Sequence, residues 1–105
     1  MREVDLGTFV TAHAEGATVI DVREPYEYVS GHVPGAELLP LGNLPQQAGR
    51  LPRTGKVYVI CARGNRSLTA ADYLATIGVT AYSVAGGTGA WIRAGHPVVR
   101  GDQPS

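Results

Sequence analysis

One cysteine, Cys61, is all the chain has in its 105 residues. A single thiol excludes an internal disulfide framework and a zinc site built on several thiolates. The three histidines, His13, His32 and His96, stand far apart with no ligand spacing between them, so no metal site is expected. No apolar run approaches the roughly 20 residues that a membrane-spanning helix needs. The start, Met1-Arg2-Glu3-Val4-Asp5-Leu6, has an acid directly after its basic residue and no apolar stretch behind it, which is not the pattern of a signal peptide. An excess of charge of either sign is missing too: nine Lys and Arg balance nine Asp and Glu. Such a chain has no electrostatic footprint for nucleic acid or for an anionic membrane surface. No period of 20 to 50 residues repeats, so a solenoid is excluded. These absences lead us to expect one small cytoplasmic domain, and the Met1 start is read as that of a free-standing chain. With 44% hydrophobic and 17% charged residues it has the composition of a folded globule.

Glycine and proline, 14 and 7 copies, are spread along the chain and divide it into short segments. Asp5 is placed to cap a helix over 6–14 that stops at Gly16. Residues 18–22 form a compact β-branched run, a candidate strand. Pro25 suits the first turn of a short helix ending at Gly31. A second strand is expected over 36–39, and a helical stretch over 44–50. The clearest strand is 56–61, apolar on both faces after Lys56, as a central parallel strand should be. Residues 66–77 carry Leu68, Ala71, Leu74 and Ala75 at helical spacing, and Gly78 ends them. A further strand covers 80–84, and a last helix follows Gly86-Gly87 and stops at Gly95. Strands alternating with helices predict an α/β domain whose mostly parallel sheet is covered on both faces. The domain is expected to occupy 1–100, with 101–105 as a short, loose, polar tail.

The informative segment is Cys61-Ala62-Arg63-Gly64-Asn65-Arg66-Ser67, which joins the central strand to its helix. Ligands of open α/β sheets gather beyond the carboxyl ends of the strands, where Cys61 falls. The chain must turn sharply there and enter a helix. That points backbone N–H groups and the positive end of the helix dipole inward. A thiol held there beside Arg63 and Arg66 should ionise readily, and the thiolate is the nucleophilic form. Gly64 suits a turn that needs positive φ. Most isolated buried cysteines are inert core fillers. Two arginines at a helix start oppose the dipole, however, and that favours a role with an anion.

This segment resembles the active-site loop of the rhodanese sulfurtransferase family, Cys-x-x-Gly-x-Arg-Ser. Val19-Ile20-Asp21-Val22-Arg23-Glu24 with Glu27 resembles the family's first strand and its Asp-x-Arg motif. Gly31-His32-Val33-Pro34-Gly35-Ala36 resembles its Gly-His-Ile-x-Gly-Ala motif. Ala85-Gly86-Gly87 with Trp91, then Gly95-His96-Pro97-Val98, resembles its closing signature. The four motifs stand in family order from about residue 4 to residue 99.

The resemblance implies a three-layer rhodanese-like fold and a sulfur-transfer reaction that uses no cofactor. Cys61 would take a sulfane sulfur from a small anionic donor such as thiosulfate, or from a persulfide. It would then pass that sulfur to a thiol, a protein or another thiophilic acceptor. Backbone amides from Ala62 through Gly64 and Asn65 to Ser67 would hold the outer sulfur. Arg66, and less securely Arg63, would hold the anionic donor, and Ser67 would cap the helix or bond the persulfide. Asp21, Arg23 and His32 are read as supports of neighbouring loops, and Trp91 as core packing. Three other readings stay open: a sulfur relay between proteins, a regulatory binding module, and a phosphatase of the cell-cycle type. The phosphatase loop reads Cys-x5-Arg, whereas four residues separate Cys61 from Arg66 here. The shorter loop fits a sulfur atom better than a tetrahedral phosphate.

Overall fold

The computed structural model describes residues 2–105. Five parallel strands form one sheet in the order β1-β5-β4-β2-β3. In chain order these are β1 (Glu3–Val4), β2 (Thr18–Asp21), β3 (Glu37–Leu38), β4 (Lys56–Ile60) and β5 (Thr80–Val84). Five helices connect them: α1 (Leu6–Ala14), α2 (Pro25–Ser30), α3 (Leu44–Gln47), α4 (Asn65–Thr76) and α5 (Gly87–Arg93). The sheet is parallel throughout its described strands, a stricter arrangement than "mostly parallel".

Strand parity explains the two cores. Side chains alternate across a sheet, so Val57, Val59 and Cys61 face one side while Tyr58 and Ile60 face the other. The first side packs with Ile20, Val22, Leu44, Ala70, Ala71 and Leu74, under α3 and α4. The second packs with Phe9, Val19, Val84 and Trp91, under α1 and α5. Being covered on both faces is why β4 reads as an unbroken apolar run. Asp5 caps α1 as its position suggests, accepting the Thr8 N–H at 2.7 Å.

Several elements differ from their sequence reading. The two-residue β1 was not expected; it is a short edge strand with no apolar run of its own. The strand expected over 36–39 narrows to Glu37–Leu38. The helical stretch over 44–50 is one α-helical turn, α3, followed by a 3₁₀ turn at Ala48–Arg50. The end of the chain is also tethered. Pro104 O accepts the Gly35 N–H at 2.9 Å, and Gln103 O lies 2.8 Å from His32 Nε2. These contacts span about 70 residues of sequence, so the polar composition of 101–105 gives no sign of them.

Candidate active site

Cys61 directly follows β4, beyond the carboxyl ends of the strands. Gly64 then turns the chain with φ +104°, a left-handed conformation that disfavours a side chain, and α4 begins at Asn65. The turn folds back under the sulfur. Cys61 Sγ accepts the Gly64 N–H at 3.1 Å and the Ser67 N–H at 3.4 Å, and lies 3.3 Å from Ser67 Oγ. Only 1% of Cys61 is exposed, at the floor of a cleft of about 310 Å³ lined by Glu27, Cys61, Ala62, Arg63, Asn65 and Arg66.

Burial pushes the Cys61 thiol upward in pKa. The Ser67 hydroxyl, the Ser67 amide and the amides of Gly64 and Arg63 outweigh it, and the net shift is downward. The sequence reading credited inward-pointing amides, the helix dipole and the two arginines; the geometry keeps the amides and adds the Ser67 hydroxyl in place of the guanidinium groups. Ser67→Ala removes the largest of the lowering contacts. A hydrogen bond to a charged group contributes about 1.5–3 kcal/mol, so the thiol pKa should rise when this one is removed. The rate of iodoacetamide alkylation against pH reads this directly. An unmoved profile would remove Ser67 from the account.

Behind Ser67 stands a residue that motif reading missed. Ser83 Oγ lies 2.6 Å from Ser67 Oγ, and both serines are fully buried. When the Ser67 hydroxyl donates to the sulfur, Ser83 can donate to Ser67, a chain in which each bond polarises the next. The available signal was a serine inside a buried strand, at the parity of Ala81, facing α4.

The N-terminus of α5 holds the loop from the other side. Thr88 N–H donates to Cys61 O at 2.8 Å, and Gly89 N–H donates to Ala62 O at 3.0 Å. Engaging these carbonyls fixes the peptide planes of the first two loop residues. The approach is close enough that a Cβ on Gly87 would sit 2.3 Å from Cys61 O. The Gly86-Gly87 pair in the closing signature is thus part of the loop's support.

Arg66 is not free. Its Nη1 and Nη2 donate to Glu27 Oε1 and Oε2 at 2.7 and 2.9 Å, across 39 residues of sequence. This pairing holds Glu27 down at a pKa of about 2, with the hydrogen bond from Arg66 as the main cause. Arg63 is exposed and has no ion pair among the described residues, while Asn65 is exposed at the rim.

Asp21, Arg23 and His32 make no hydrogen bond to Cys61. Arg23 Nε and Nη2 bind both oxygens of Asp21 at 2.8–3.1 Å, and Nη2 also donates to Gly31 O at 2.8 Å. This buried pair pins the end of β2 to the end of α2, the helix that carries Glu27. Removing one member of such a pair strands the other. Arg23→Ala should therefore cost about 3–5 kcal/mol in urea unfolding, and a loss below about 1 kcal/mol would make the pair incidental. His32 stacks on Tyr28 with centroids 3.6 Å apart, and its ring nitrogens meet the carbonyls of Tyr28 and Gln103. It braces backbone. Trp91 packs in the core and donates Nε1–H to Pro97 O at 2.7 Å. No group of three or more His, Cys, Asp or Glu among the described residues could hold a metal ion. No helix among them is long and apolar enough to cross a membrane.

Comparison with known proteins identifies the family. A model of the rhodanese-like domain matches residues 9–94. The chain belongs to the rhodanese-like domain family. A thiosulfate sulfurtransferase GlpE of Pseudomonas entomophila is 37% identical over 79 residues, covering 74% of this chain and 72% of that protein. A putative sulfur carrier protein, YrkF of Bacillus subtilis, is 40% identical over 57 residues; the match covers 54% of this chain but only 31% of that protein's length. The crystal structure of a rhodanese-related protein from Thermoplasma volcanium superposes with a TM-score of 0.88 at 35% identity, covering 94% of this chain and 98% of the other. The rhodanese fold is thereby established, and relatives of this chain bear the names sulfurtransferase and sulfur carrier.

Proposed function

We propose that this rhodanese domain is a sulfurtransferase in which Cys61 carries the sulfur. The observation that carries the reading is the cradle around Sγ: two backbone N–H groups and a buried hydroxyl converge on one sulfur atom beneath an open cleft. A thiolate in that position attacks the outer sulfur of its donor. With thiosulfate, the donor's S–S bond breaks, a Cys61 persulfide forms and sulfite leaves with the bonding electrons. With a persulfide donor, a thiolate leaves instead. In the second half, an acceptor nucleophile attacks the outer sulfur and Cys61 leaves as thiolate. Cyanide thereby becomes thiocyanate, and a thiol becomes a persulfide. The Gly64 and Ser67 amides hold the thiolate charge on Cys61 Sγ; in the persulfide the charge moves to the outer sulfur, which the amides of the loop would hold.

The donor is a small anionic sulfur compound or a persulfide, and the acceptor a thiol or a protein. A reducing compartment such as the cytoplasm suits a carrier whose one thiol must return to the free state. Thiocyanate formation from cyanide, with thiosulfate and with cysteine persulfide as alternative donors, tests the reading. Turnover with either donor supports it, and turnover with neither overturns it. A relay between proteins is a second reading, favoured by the relative named as a putative sulfur carrier. Slow thiosulfate turnover beside fast exchange with a persulfide would select it.

A further inference from the structure

The cleft above Cys61 holds two cations, Arg63 and Arg66, but one of them is already engaged. Glu27 binds Arg66 through both carboxylate oxygens. The carboxylate is also held by its own helix, because Oε1 accepts the Glu24 N–H at 3.0 Å. The buried Asp21–Arg23 pair fixes the far end of the same helix. With its pKa near 2, Glu27 keeps its charge wherever a thiolate can form. Glu27 compensates Arg66, so among the described residues Arg63 is the one guanidinium of the cleft left uncompensated by a carboxylate, and with Cys61 ionised the cleft carries no net positive charge.

This balance treats the two donor classes differently. Thiosulfate brings two negative charges into a cleft that already contains a thiolate and a carboxylate. To reach Arg66 it must displace a bidentate, charge-assisted partner. A persulfide brings one negative charge, or none when protonated, and one uncompensated guanidinium is sufficient for it. Like charges repel strongly in a partly desolvated cleft.

We propose that Glu27 is a specificity-determining residue that, by holding Arg66, selects persulfide donors over dianionic thiosulfate at Cys61. The inference rests on the sulfurtransferase reading above. The chemistry in the selected case is an exchange of partners: the donor's S–S bond breaks, the new bond joins its outer sulfur to Cys61 Sγ, and the donor leaves as its thiolate.

The test measures single-turnover loading of the reduced full chain by thiosulfate and by cysteine persulfide, and takes the ratio of the two efficiencies. The wild type should favour the persulfide. Glu27→Gln removes the carboxylate charge and should move the ratio toward thiosulfate by roughly tenfold. Glu27→Asp keeps the charge and should leave the ratio near that of wild type. Arg63→Ala removes the uncompensated cation and should move the ratio the other way. It offers an independent reading if the Gln variant folds poorly, because Arg63 is exposed and pairs with nothing described. A ratio within twofold of wild type in both Glu27→Gln and Arg63→Ala would overturn the proposal while leaving sulfur transfer intact. A wild type that neither donor loads would overturn the sulfurtransferase reading itself, and the proposal with it.

Discussion

Cys61→Ser is expected to reduce sulfur transfer to the uncatalysed background while leaving the fold in place. Among the described residues, the thiolate is the one nucleophile at the floor of the cleft, and a serine hydroxyl there meets no base: the side-chain partner of that atom is Ser67, itself a hydroxyl. The loss should reach roughly three orders of magnitude or more, because no second residue can carry the sulfur. Stability should change by about 1 kcal/mol or less. The new hydroxyl is isosteric with the thiol and meets the same donors, the N–H groups of Gly64 and Ser67. Thiocyanate formation and a thermal melt on the same sample separate the two effects. Turnover retained in the serine variant would remove Cys61 from the mechanism.

The second large effect is expected at Gly87, which touches no substrate. Its φ is +59°, and an added Cβ would lie 2.3 Å from Cys61 O, 2.7 Å from Ala62 C and 2.8 Å from Ala62 O. All three obstacles are backbone, and no rotamer change relieves them. Those carbonyls are the acceptors of the Thr88 and Gly89 N–H groups. Moving them away turns the first peptide planes of the loop and misaims the amides around the sulfur. Gly87→Ala should therefore cost about 2–4 kcal/mol and raise the thiol pKa in the folded fraction. Gly16 provides the comparison: its φ is +85°, but nothing lies within 4 Å of an added Cβ. Gly16→Ala should show only the left-handed strain, about 1–2 kcal/mol. Urea unfolding and alkylation against pH measure both variants. Equal costs with identical alkylation profiles would show that the close approach of α5 does not hold the loop.

Features written in local pattern were legible in the sequence. The unbroken apolar run of β4, the glycine at the loop turn and the helical period of α4 placed Cys61 at the end of a central strand. The Asp5 cap and the Pro25 start of α2 followed from the chemistry of helix ends. Features that depend on distant residues meeting were not legible. Glu27 and Arg66 are 39 residues apart, and neither residue type announces the other. Ser83 lies on β5, not in the loop, and meets the site through the Ser67 hydroxyl and the Gly64 carbonyl. The clamp from α5 uses backbone N–H groups, which leave a trace in sequence only as the glycines that permit the approach. The inward-pointing amides behind the lowered thiol pKa were legible, whereas the part given to the two arginines is taken in the fold by the Ser67 hydroxyl. Arg66, once folded, turns its guanidinium to Glu27.

The most direct measurement is the intact mass of the reduced protein after incubation with thiosulfate or with cysteine persulfide, followed by mapping of the modified peptide. The account requires one added sulfur atom on the peptide containing Cys61, released by cyanide as thiocyanate. A protein that gains no sulfur from either donor, or gains it on a peptide without Cys61, would contradict it.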